Sequence, residues 1–204
     1  MNKANTFRAA IFGGLFLMCQ VTVASITSPT SFVEGVFEDL VQQINAFGQT
    51  PSTGDIEKLF SDTLDPHIDY QGLARWTLRE HWNGSNDAQQ LAFLTALKKH
   101  VIKTYASALT FDKNTRLDLH EDVKAGQRIT QVSGTLKTAQ SSGTDVQFRL
   151  VGGDDGWQIF DVGVHGISVA KTLRADISAI VSNGGIDAAT SALSSGNFRL
   201  VSQR

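Results

Sequence analysis

The chain has 204 residues, of which 18 are lysine or arginine, 20 are aspartate or glutamate, 41 % are hydrophobic and one is cysteine. A formal charge of −2 gives no electrostatic footprint for nucleic acid and no pull towards anionic headgroups. A lone cysteine excludes an intramolecular disulfide framework and a thiolate metal site.

The first two dozen residues read as an export signal. Lys3 and Arg8 supply a positive n-region, and Ala9 to Met18 form an apolar run. That run suits an h-region and is short against the ~20 residues of a membrane-spanning helix. Small residues at Ala24 and Ser25 permit cleavage, so residues 1–24 are expected to be a signal peptide and 25–204 a single domain. Cys19 follows the bulky Met18, a poor lipoprotein acylation site, and is expected to leave with the signal. Loss of Lys3 and Arg8 leaves 16 basic against 20 acidic residues, about −4. No later segment reads as a membrane span, and no internal repeat is present.

Ser31-Phe32-Val33-Glu34 reads as a capping box, and Val33, Val36, Phe37, Leu40, Val41, Ile44 and Phe47 follow on one greasy face. Gly48 and Pro51 close that helix. A second, short helix is expected from Asp55 to about Leu64, with Ile56, Leu59 and Phe60 buried. Tyr70 to Trp82 reads as helical in whole or part. Asn83-Gly84-Ser85-Asn86 breaks the pattern, and Asn86 with Gln89 is placed to cap the longest helix, Ala88 to about Leu109. Leu91, Leu94, Leu97, Val101, Tyr105 and Leu109 form its apolar stripe, and Lys98, Lys99 and Lys103 mark its wet side.

After Phe111 the period drops from about 3.6 to about two. Leu117 and Leu119 alternate with polar neighbours, Ile129, Val132 and Leu136 do so less cleanly, and Val146, Phe148 and Leu150 alternate with Gln147 and Arg149. Trp157 to Val164 is apolar on both faces, as expected of a central strand covered on both sides. Short connections rich in turn residues (Glu121 to Gly126, Ala139 to Gly143, Gly152 to Gly156) argue hairpins. Helix returns near Ser168 with Val169, Leu173, Ile177, Ile180 and Val181 on its apolar face. Asn183-Gly184-Gly185 stops it, and Ile186 to Leu193 makes a last short helix. Helices before and after an antiparallel sheet of four to five strands make the class α+β, and a curved sheet wrapped by helices can enclose an apolar cavity.

The sequence carries no catalytic or metal-binding arrangement. His67, His81, His100, His120 and His165 lack metal-ligand spacing, and there is no nucleophile elbow, dinucleotide fingerprint or P-loop. Asp154 and Asp155 are explained by turn chemistry. Asp161 is the one conspicuous acid, set in the apolar run Trp157-Gln158-Ile159-Phe160-Asp161-Val162, where a buried carboxylate needs a partner. An ion pair with Arg174 or another buried arginine is the favoured reading; a small enzyme using Asp161 as base is the alternative.

The run from Trp157 to Val169, including Asp161-Val162 and Val164-His165-Gly166-Ile167-Ser168, followed by Arg174, resembles the closing signature of the MlaC family, the toluene-tolerance auxiliary components of an ABC-type lipid transport system. Leu73-Ala74-Arg75 with Trp82 is similar to the segment before that family's long helix. Gln89-Gln90-Leu91-Ala92-Phe93 and Lys103-Thr104-Tyr105-Ala106-Ser107-Ala108-Leu109 resemble the helix itself, and Gly185-Ile186-Asp187 with Leu193 fits the end. Leu173 stands where the family often has tyrosine, Asp176-Ile177 replaces the usual Gln-Phe, and the loop after Trp82 lacks the common Thr-Pro.

The resemblance implies an NTF2-like or MlaC-like fold in a periplasmic phospholipid carrier with no covalent chemistry and no cofactor besides its cargo. A monomer is the default expectation where the sequence leaves the oligomeric state open. Its implied partners are an outer-membrane lipoprotein complex and an inner-membrane ABC transporter with an MCE-domain subunit. A diacyl lipid exposes some thirty methylenes worth about 0.8 kcal/mol each on burial, on the order of 20 kcal/mol in all. Such a cargo has to be enclosed and handed over at a docked complex. The candidate lipid-binding positions are Leu94, Leu97, Val101, Tyr105, Val132, Phe148, Leu150, Ile159 and Val162. For each of them, ordinary core packing, as in a solid interaction module, is the alternative.

Overall fold

A computed structural model describes residues 27–47, 51–106, 114–120, 128–138, 141, 143–153 and 156–195, with the backbone alone described for Tyr105 and Ala106. The proposed signal peptide and the Asp154-Asp155 turn lie outside the described residues. The first helix, α1 (Pro29–Ala46), starts earlier than the expected Ser31 box. Ser28 is its N-cap and accepts from the Ser31 amide at 3.1 Å, because Pro29, with φ already locked for a first helical position, follows it directly. The reciprocal capping box belongs to α2 (Thr53–Thr63), where Ser52 and Asp55 satisfy each other's backbone amides. These hydrogen bonds hold the Asp55 carboxyl below its usual range.

A 3₁₀ turn, Asp65–His67, leads into α3 (Tyr70–Leu78), capped by Asp69, and α4 (Glu80–Asn83). The two helices are separated at Arg79, whose φ of 53° breaks the helical path. Asn86 and Gln89 cap α5 (Asp87–Ala106) reciprocally at 3.2 and 3.0 Å, as the sequence predicts. The buried stripe of α5 differs from the predicted one. It runs through Phe93, Ala96, Leu97 and His100, while Leu91 is 67 % exposed. Both stripes have helical spacing, and the position of the last helix selects between them.

The strands β1 (Arg116–His120), β2 (Ile129–Lys137), β3 (Thr144–Gly153), β4 (Gly156–Val164) and β5 (Ile167–Ser168) pair antiparallel in the order β1-β2-β3-β4-β5, an open meander. Register explains why Trp157–Val164 reads as apolar on both faces. Phe148 pairs with Val162 and Arg149 with Asp161, but Leu150 pairs with Ile159, so Phe160 is the extra residue of a β-bulge. The bulge brings Ile159 to the face that carries Val162, although they stand an odd three positions apart.

The chain ends in α6 (Val169–Ser194), capped by Ser168 and broken at Gly185 (φ 69°, ψ −171°), where the sequence places its stop signal. Three apolar clusters result. The largest joins α3, α4, α5 and α6 through Leu73, Leu78, Trp82, Phe93, Leu97, Leu173, Ile177 and Val181. A second joins α1 to α2 through Leu40, Ile44, Leu59 and Phe60. The third closes one end of the sheet under α1, through Val33, Val132, Leu150 and Ile159. Leu173 and Ile177 are both packed in the helical cluster.

Candidate functional site

Between α1, α2, the end of α5 and the inner face of the sheet lies a cavity of about 610 Å³. The wall from the helices comprises Val33, Val36, Phe37 and Leu40 of α1, Phe60 of α2, and Val101 and Ile102 of α5. From the sheet come Leu117, Leu136, Val146, Phe148, Ile159, Val162 and Val164. Period-two alternation puts these strand residues on one face, and the bulge adds Ile159 to them.

The hollow has a closed end and an open end. At Val132 and Leu150, both 0 % exposed, the face is packed solid against Val33. Trp157 ties that end to the chain before α1 by donating its indole N–H to the Thr27 carbonyl at 2.8 Å. Following β2 towards Leu136, β3 back towards Thr144 and β4 on towards Val164 leads to the other end. There Val164 lines the cavity and is still 39 % exposed, beside its β5 partner Ile167 at 57 %.

Four polar arrangements border the cavity or its floor. Asp65 receives hydrogen bonds from Ser61 (3.1 Å) and Tyr70 (2.7 Å) and pairs with Lys98 at 2.6 Å, pinning the 3₁₀ turn to α3 and α5. Burial, reinforced by that carboxylate, pushes the Tyr70 hydroxyl far up, so it stays a proton donor. His100, one residue before the wall position Val101, is held below its ordinary value by burial. At the open end, Thr138, Ser141 and Thr144 put hydroxyl-bearing residues on the wall.

Asp161 is the fourth. It is 6 % exposed and lines the cavity, and its oxygens are engaged. One accepts from the Ser168 hydroxyl at 2.6 Å and lies 3.5 Å from the Arg149 guanidinium; the other accepts from the Ala170 amide at 2.8 Å. The carboxylate thus ties β4 to β3 and to the first turn of α6. The partner is Arg149, across the strand, and not Arg174, which stacks 4.6 Å from the Trp76 ring.

A family model described as "MlaC protein" matches residues 33–195, most of the chain. The chain belongs to the MlaC family. Among solved structures, the phospholipid-binding protein of Ralstonia solanacearum, determined in complex with a phospholipid, is similar to this MlaC-family chain with a TM-score of 0.76. The two are 18 % identical, with 84 % of this chain and 97 % of that one covered, so the likeness is one of fold. No curated protein matches the chain.

Within this MlaC-family fold the nine positions singled out by sequence separate. Val101, Phe148, Ile159 and Val162 line the hollow. Leu97 is fully buried in the helical cluster, and Leu94 packs on that cluster while bordering a separate depression near Lys98. Val132 and Leu150 belong to the closed end, and the side chain of Tyr105 lies outside the described residues. The wall residues missed by the sequence reading include Ile102 of α5, Leu117, Leu136, Val146 and Val164 of the sheet, and the whole contribution of α1 and α2. Val33, Val36, Phe37 and Leu40 were visible as one greasy face, but nothing local says whether such a face meets side chains or space. Among the described residues no cluster of histidine, cysteine and acidic groups is arranged to hold a metal, and no helix is long and apolar enough to cross a membrane.

Proposed function

We propose that this chain is a monomeric periplasmic phospholipid carrier, handing lipid between an outer-membrane lipoprotein complex and an inner-membrane ABC transporter with an MCE-domain subunit, without a covalent step. The observation that carries the reading is the apolar hollow of about 610 Å³ with one closed and one open end. A methylene is about as large as the ~30 Å³ share of one water in the liquid. The space therefore suits on the order of twenty such groups, more than one long acyl chain. Family membership and the phospholipid held by the Ralstonia solanacearum relative support the same reading.

An empty apolar hollow of this size forfeits dispersion contacts along its lining. A cargo that fills it recovers them, and spontaneous release into water is prohibitively slow at about 0.8 kcal/mol per exposed methylene. Handover at a docked complex follows. The engagement of both Asp161 oxygens speaks for a structural carboxylate and against an enzyme built on it. The hollow itself speaks against a solid-core interaction module.

Native mass spectrometry of protein purified from the periplasm, followed by organic extraction, tests the proposal. Phospholipid bound to the folded chain is the expected result. A chain that is empty as purified and takes up no lipid from vesicles would sink it.

A further inference from the structure

The open end of the cavity has a chemistry that the rest of the wall lacks. Val164 borders it with apolar surface, next to its exposed partner Ile167, while the β2–β3 hairpin contributes Thr138, Ser141 and Thr144. Ser141 donates its amide to Thr138 Oγ1 at 3.1 Å, and the Ser141 and Thr144 hydroxyls lie 3.1 Å apart. The main chain holds this geometry, since Thr138 N–H donates to the Ser141 carbonyl at 3.0 Å and Ser141 N–H reaches back to the Thr138 carbonyl at 3.3 Å.

The other polar wall residues are already committed. Tyr70 donates to Asp65, and Asp161 accepts from Ser168 and Ala170 beside Arg149. The Ser141–Thr144 pair differs. It has two hydroxyl protons, and the bond between the two oxygens uses one of them. Both side chains are half-buried, on the wall and within reach of solvent. The wall includes no lysine, arginine or histidine among the described residues, so it has no cation to meet a phosphate.

We infer that the Ser141–Thr144 hydroxyl pair, positioned by Thr138, is an ester subsite: it donates a hydrogen bond to an acyl-ester carbonyl of the cargo's glycerol backbone. Placed there, the acyl chains run from the hairpin towards the closed end at Val132 and Leu150, and the phosphate and its substituent stay in water. A neutral donor at the ester level makes the site selective for ester-linked lipid. The inference rests on the carrier reading and adds to it which part of the lipid is recognised.

The test uses the full mature chain, incubated with vesicles containing equal amounts of a diester phosphatidylcholine and its diether analogue with the same chains. Native mass spectrometry reads the bound ratio. The wild type should favour the diester by about three- to tenfold, the factor that one neutral hydrogen bond supplies. The lipid held by the double variant Ser141→Ala/Thr144→Val should show the ratio reduced to about one. Equal binding of the two lipids by the wild type, or a preference that survives in the double variant, overturns the subsite. Uptake of neither lipid by the wild type overturns the carrier reading and the subsite with it. Replacing the choline lipid by a phosphatidylglycerol pair should leave the ratio unchanged, and a strong dependence on headgroup charge counts against the inference.

Discussion

The two halves of the molecule are built from the same kinds of residue and end in opposite states. In the helical half, α3, α4 and α5 meet α6 through leucine, isoleucine, phenylalanine and tryptophan packed to near-complete burial. In the sheet half, α1 and α2 stand over a face equally rich in valine, leucine and phenylalanine and leave about 610 Å³ between them. Hydrophobicity is therefore not what makes the hollow. A cavity persists where rigid elements meet at a distance that their side chains cannot span, and the solid half supplies that rigidity. Packing of α5 against α6, with Asp161 tying β4 to the start of α6, holds one side of the hollow apart from the other.

The comparison is open to attack from both sides. The largest effect is expected in the solid half: Leu97→Ala, at a fully buried position, should lower unfolding free energy by about 2–5 kcal/mol in a urea titration, because it opens a new cavity. Val101→Ala, one turn further along the same helix on the existing cavity wall, should cost no more than about 1 kcal/mol, because its side chain already borders space. Equal losses at the two positions would erase the distinction between the halves.

Next in size is Gly185→Ala in α6. A Cβ there meets no neighbour within 4 Å, so the penalty comes from the backbone alone, φ 69° with ψ −171°. That region is nearly closed to residues with a side chain, and a loss of about 1–3 kcal/mol is expected. A smaller stability change, with a large functional one, is expected for Val162→Trp. It should fill part of the hollow and strip most bound phospholipid while moving the unfolding free energy by only about 1 kcal/mol. Undiminished lipid in that variant would remove Val162 from the proposed wall.

The smallest effect concerns pH. Burial depresses the His100 imidazole below its usual 6.5, so between that value and the folded-state one the unfolded chain binds a proton that the folded chain refuses. The associated stability is complete above about pH 6.5 and is lost as the pH falls through the folded-state value. His100→Gln should lose less stability than the wild type on going from about pH 7.5 to 5.5. Parallel losses in the two proteins would exclude His100 as the source.

Much of the framework was legible because its causes are local. The Asn86–Gln89 cap, the stop at Gly185 and the alternation that builds the meander each depend on residues a few positions apart. Where two local signals competed, the reading slipped. Ser31-Phe32-Val33-Glu34 has the form of a capping box, yet Ser28 followed by Pro29 starts the helix one turn earlier. Leu91, Leu94, Leu97 and Val101 form a regular stripe, yet the buried one runs through Phe93, Ala96, Leu97 and His100 and shares only Leu97 with it. Periodicity tells that a face exists, and the partner decides which face it is.

By itself the sequence determined an α+β chain with its helices ahead of and behind an antiparallel meander, and a buried acid in the fourth strand that needed a partner. Only the tertiary structure decided that Arg149 and the first turn of α6 supply that partnership, that a bulge at Phe160 turns Ile159 inward, and that α1 faces space where α5 faces α6. The reason is one of range. Caps, turns and alternation are written within a few residues, whereas a void is a property of the distance between elements far apart in the chain, and no local pattern records it.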